Sequence, residues 1–107
     1  FRAARFTPAV EYINANRVRY QLIEALNEMM SDIDVLVTPT YAGPQLLMTN
    51  LSGHPAVVIP NGSYKDNNPG SISFIGNHFD EGAILAFARF VQELTPYEEE
   101  HPSLFMK

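Results

Sequence analysis

Apolar residues recur at three- and four-residue steps through Val18, Leu22, Ala25, Leu26, Met29 and Ile33, the period of a helix with one buried stripe. Thr7-Pro8 marks its start, because Thr at the N-cap accepts an orphan N–H and Pro at the first helical position has no N–H to lose. Arg17, Arg19, Glu24, Asn27 and Glu28 lie mostly off the stripe, and the spacing predicts a helix to about Ser31-Asp32. Val35-Leu36-Val37, stopped by Thr38-Pro39-Thr40, does not alternate and reads as a short buried strand. A loop at Ala42-Gly43-Pro44 precedes a short helix to Leu51, with Gly53 as its C-cap and Pro55 just beyond. Ala56-Val57-Val58-Ile59 is a second buried strand ended by Pro60, and residues 61–70 are almost all turn formers. Ser71 to Ile75 alternates, which suits a strand antiparallel to 56–59. Asp80 then caps a helix to about Leu94, halted by Thr95-Pro96, and a solvated tail (96–107) follows.

The last helix departs from the simple pattern. Ala83 to Ala88, Phe90, Val91 and Leu94 cover most of its circumference, as in a helix buried on more than one side. Three short strands and two long helices in a chain of 107 residues can hardly cover it, so a large apolar patch and self-association of the isolated chain are expected. The composition, 46% hydrophobic and 18% charged, suits one globular domain and excludes disorder, and no apolar run is long enough to cross a membrane. A net charge of −5 argues against nucleic acid as a partner, although Arg2, Arg5, Arg17 and Arg19 make the N-terminal stretch basic. The chain opens on Phe1, in mid-pattern, so this end carries no readable targeting information.

Candidate chemistry is sparse. With no Cys there is no thiol nucleophile, disulfide or thiolate metal site. His54, His78 and His101 lie far apart in sequence and none pairs with an acidic residue at metal-binding spacing, so neither a metal nor another cofactor is expected. His54, between Gly53 and Pro55, reads as a loop residue. Gly53, Gly62, Gly70 and Gly76 are caps and turns rather than a phosphate loop, and no carboxylate pair or serine elbow stands out. The residues alone describe a non-catalytic segment of an α/β protein.

Several segments resemble a known family. Asp34 to Thr40 is similar to the "D-hydrophobic-P-T" run of amidase signature enzymes, and Asn50 to Gly62 resembles their "NLAGLPAISVPCG" segment. Ser71 to Gly76 is similar to their "VGLQLIG" strand, and Phe79-Asp80-Glu81 with the following helix to their "F-x-E-x-x-LL-x-x-A" ending. Upstream, Tyr12, Ala15 and the Arg17–Arg19 stretch resemble a "Y-x-x-A…R" helix, so the likeness runs from about residue 6 to residue 94.

The resemblance implies the C-terminal part of the amidase signature α/β/α fold, a few strands of a mixed sheet packed by two long helices. It implies hydrolysis of a carboxamide by a Ser–(cis-Ser)–Lys triad whose residues lie upstream, since the only lysines here are Lys65 and Lys107. On that basis residues 1–107 are inert alone and depend on the upstream part of the same chain, and the substrate is a small amide. The family's pocket-bordering loop maps to Tyr41–Asn50, making Tyr41, Gln45, Leu46 and Met48 the expected pocket-lining residues. The alternative is the glutamine-hydrolysing component of a tRNA-dependent amidotransferase, its A-type subunit. Such subunits usually carry Asp where this chain has Gly43, and their "LPVG" strand entry is replaced by Asn68-Pro69-Gly70-Ser71. Both departures favour a stand-alone amidase. A non-catalytic α/β interaction module is the reading from a different class, and the default location is the cytoplasm.

Overall fold

The computed structural model describes residues 3–41, 43–64 and 68–100. A 3-10 turn over Ala3–Phe6 leads into α1 (Ala9–Met30), β1 (Val35–Pro39), α2 (Gln45–Ser52), β2 (Ala56–Ser63), β3 (Pro69–Gly76) and α3 (Glu81–Leu94), and a second 3-10 turn follows at Tyr97–Glu99. The α/β class is as expected. The strand order is β1-β3-β2, with both pairs antiparallel. The expected pairing of 56–59 with 71–75 forms, with Val57 opposite Phe74 and Ile59 opposite Ile72. Since β1 and β2 run the same way with β3 between them, the described sheet is antiparallel throughout rather than mixed.

This order corrects three burial expectations. β3 alternates in sequence yet is buried on both sides from Ser73 to Gly76, because it is central and carries helices on both faces. β1 and β2, expected to be buried, are edge strands, and Val37 and Val58 remain 45% and 53% exposed. β2 also continues past Pro60 to Ser63, through a register shift that an edge strand tolerates.

On one face, α3 lies over β2 and β3. Ile59, Phe74 and Ala88 form the core there, joined by Val35, Val57, Ile72 and Val91. Phe74 is 1% exposed and meets Phe87 edge-to-face, with ring centroids 5.0 Å apart. Gly76 permits the close seating of α3, since a Cβ there would stand 2.6 Å from Ile84 Cγ2. Only Ile84 and Ala88 of α3 are buried, so the helix is covered on one side rather than several. Its outer residues Leu85, Phe90 and Leu94 are exposed, as its apolar circumference led one to expect.

Alternation along the strands sends Leu36, Thr38 and Ile75 to the opposite face, beneath α1 and α2. Arg19 Nε donates to the Leu51 carbonyl and ties these two helices together. Of the stripe on α1, Leu26 is buried while Val18 and Met29 stay exposed, and Met30, outside the stripe as read, is the other buried residue of the helix. The helix begins one residue later than expected. Pro8 occupies the N-cap, where its side chain has no acceptor to offer, and its carbonyl accepts from the Glu11 and Tyr12 N–H groups. Asp80 likewise sits at the N-cap of α3 but its side chain makes no capping bond. In the segment read as a tail, the Tyr97 ring lies against Gly62 and Glu98 to Glu100 are exposed. His101, Lys107 and the loop residue Lys65 fall outside the described residues.

Candidate functional site

The end of α2 organises the site. Gly53 adopts φ +83°, a left-handed conformation open to glycine, and its N–H closes the helix on the Thr49 carbonyl at 2.8 Å. His54, read as a loop residue, does lie between α2 and β2, yet it is only 6% exposed. Its Nδ1 lies 2.8 Å from Ser52 Oγ. Its ring packs on that of His78, with centroids 3.9 Å apart and planes inclined by 36°. His78 Nε2–H donates to the Ser52 carbonyl at 2.9 Å, and its Nδ1 lies 2.9 Å from Asn27 Oδ1. His78 therefore joins α1, the C-terminus of α2 and the loop before α3. Burial first, and the neighbouring His78 second, push the His54 imidazole below its usual pKa and keep it neutral.

Beside this pair, a cavity of about 250 Å³ opens between α1, α2 and β1. Gln45 and Met48, two of the expected lining residues, face it together with Thr49, one helical turn on from Gln45. Tyr41 and Leu46 do not: Tyr41 is 81% exposed at φ +67° and Leu46 is 48% exposed on the outer side of α2. The sequence reading missed Met29 and Met30 at the end of α1, Leu36 and Thr38 on β1, and His54. Leu36 and Thr38 carry a legible signal, since residues two apart on a strand share a face. Met30 carries one as well, four residues beyond the buried Leu26. Two polar atoms of lining residues, Thr38 Oγ1 and His54 Nε2, are buried without a hydrogen-bond partner among the described residues.

The Ser52–His54 contact has the spacing of a nucleophile and its base, but not the setting. Ser52 is 3% exposed, its hydroxyl is also placed to donate to the Thr49 carbonyl, and no carboxylate orients the histidine among the described residues. The contact fastens a helix end. No group of three or more His, Cys, Asp or Glu capable of holding a metal occurs among the described residues.

No family model matches the chain. It is 32% identical over 101 residues to the A-type subunit of the glutamyl-tRNA(Gln) amidotransferase of Pseudothermotoga lettingae, a match covering 78% of this chain and 21% of the relative. The corresponding protein of the same name from Ehrlichia chaffeensis is 33% identical over 102 residues, covering 78% of this chain and 21% of that protein. A fatty acid amide hydrolase of Arabidopsis thaliana is 29% identical over 129 residues, covering 98% of this chain and 21% of the relative. The chain belongs to the amidase signature family. It spans about a fifth of the length of these curated relatives. No helix among the described residues is long and apolar enough to cross a membrane.

Proposed function

We propose that this chain is the C-terminal segment of a carboxamide hydrolase and furnishes one wall of its substrate pocket. The observation that carries the reading is the match of 78–98% of the chain to enzymes named for amide hydrolysis and amide transfer. In this reading a Ser–(cis-Ser)–Lys triad in the upstream part of the protein attacks the carbonyl and releases ammonia or an amine. Gln45 and Met48 line the pocket, while Tyr41 and Leu46 border its entrance from the exposed side. The segment alone is inert and self-associates through the outer face of α3, which upstream parts of the same chain cover in the intact protein. A cytoplasmic location belongs to the same reading.

The test is ammonia or amine release by the full-length protein from a panel of simple amides, repeated with its upstream lysine replaced. Activity lost on that replacement supports the reading; a full-length protein inert toward every amide refutes it. The glutamine-hydrolysing component of a tRNA-dependent amidotransferase is favoured by the two amidotransferase relatives. It requires ammonia release from glutamine together with a copurifying partner protein.

A further inference from the structure

Asn61-Gly62 is the one Asn-Gly pair in the chain. The family segment that Asn50 to Gly62 resembles ends in Cys-Gly, so the pair is particular to this sequence. Glycine has no Cβ, and its backbone nitrogen is open to the carboxamide of the residue before it. The fold keeps that approach open. The register pairs Pro60 with Ser71 and then Ser63 with Pro69, so Asn61 and Gly62 together oppose Gly70. This two-against-one bulge takes its residues out of the regular ladder. It is held by Gly62 at φ +77°, and a Cβ on Gly70 would stand 3.2 Å from the Gly62 carbonyl oxygen and 3.3 Å from that of Asn61. Asn61 is exposed, and its side-chain amide makes no hydrogen bond among the described residues.

The other asparagines are placed differently. Asn14, Asn16, Asn27 and Asn50 lie within α1 and α2, where the next backbone N–H is committed to an intrahelical carbonyl. The Asn77 amide is held by the Ile33 carbonyl at 3.0 Å. Asn68 precedes Pro69, which has no N–H to ionise, and Asn67 falls outside the described residues.

We propose that Asn61 is a site of spontaneous deamidation through a succinimide formed with Gly62. The Gly62 nitrogen, its proton passed to hydroxide, attacks Asn61 Cγ. The new bond closes a five-membered ring, the Cγ–Nδ2 bond breaks, and the amide nitrogen leaves as ammonia with a proton from water. Water then opens the ring at Cγ, giving Asp, or at the main-chain carbonyl carbon, giving a β-linked isoaspartate. Water is consumed, ammonia is released and nothing is oxidised or reduced. The β-linked product lengthens the main chain by a methylene group under the Tyr97 ring, which rests so closely on Gly62 that a Cβ there would stand 3.3 Å from Tyr97 Cε1. Conversion therefore loosens the turn at Tyr97–Glu99 from the end of β2. The proposal is independent of the hydrolase reading.

The experiment holds the full-length protein in neutral and in mildly alkaline buffer over days and follows each asparagine by peptide mass spectrometry. Asn61 is expected to exchange NH2 for OH first, at a rate that rises about tenfold per pH unit, as does the ionised fraction of an N–H far below its pKa. Protein-isoaspartate methyltransferase with a labelled methyl donor is expected to label the product. Asn61→Gln, whose longer side chain cannot close the five-membered ring, is expected to remove that label. The same chain unfolded in urea gives the reference rate, and folding is expected to slow Asn61 by less than about tenfold, since the bulge leaves it free. Slowing beyond that, earlier conversion of another asparagine, or undiminished labelling in Asn61→Gln overturns the proposal. Hydrogen exchange at residues 97–100 is expected to quicken in the converted protein, and unchanged exchange there overturns the link to Tyr97.

Discussion

Gly76→Ala places a methyl group where α3 rests on the sheet. The new Cβ would lie 2.6 Å from Ile84 Cγ2 and 3.5 Å from the Asp80 carbonyl oxygen. Ile84 is 3% exposed. As a β-branched residue in a helix it has essentially one good χ1 rotamer, so it has little freedom to turn aside. The helix must then lift from β3 by roughly an ångström to reach ordinary carbon–carbon contact. Overpacking of this kind costs about 1–3 kcal/mol. A value near 2 kcal/mol corresponds to about 30-fold faster exchange of α3 amides that open locally. Hydrogen exchange read by mass spectrometry on the full-length protein measures this without requiring two-state unfolding. The clash predicts a specific coupling. Ile84→Ala removes Cγ2, so it should cost about 2 kcal/mol less in the Gly76→Ala background than in the wild type. Unchanged α3 exchange in Gly76→Ala, or strict additivity in the double variant, would refute the close seating of helix on strand.

Three further outcomes follow from other contacts. His54 has a pKa below 6.5 when folded, so the unfolded chain binds more protons as pH falls through 6.5 and stability drops until the folded-state pKa is passed. His54→Leu should flatten that acid limb in pH-dependent thermal unfolding, and an identical limb in the variant would refute the assignment. Gly53→Ala puts a Cβ on a residue at φ +83° and should destabilise by about 1 kcal/mol, seen as faster exchange at the end of α2; no change would contradict the left-handed cap. The Arg89–Glu93 pair is 2.9 Å apart but 82% and 61% exposed, so Glu93→Ala should change stability by less than about 0.5 kcal/mol. A loss well above that, in the same thermal assay, would show that the pair is not solvated as described.

Local signals carried much of the fold. The glycine after α2 and the Thr95-Pro96 stop after α3 act through backbone conformation within a few residues, so the sequence states them directly, whereas Asn61 to Ser63 and Pro69-Gly70, read as turn residues, extend β2 and β3. Burial did not follow in the same way. Val35-Leu36-Val37 and Ala56 to Ile59 look like interior strands, and they lie at edges because β3, the last strand in sequence, takes the middle place. Helical periodicity likewise tells which residues of α1 share a face, not how much of that face is covered, hence Val18 in solvent and Leu26 in the core. Gln45 and Met48, named from the resemblance, border the cavity, while the His54–His78 stack joins residues 24 positions apart that no local pattern connects.

The central place of β3 also has a consequence in time. Val35 waits for Gly76, and Pro39 for Ile72, so β1 has no sheet partner among the described strands until the chain has grown by 41 and 33 residues respectively. At ordinary rates of synthesis that interval lasts roughly 2–8 s, whereas a hairpin such as β2–β3 closes in about 1–10 μs once both strands have emerged. The hairpin is thus expected to form as a unit and then dock onto a strand that has long been waiting. Until it does, the edge of β1 that β3 will occupy lacks that partner.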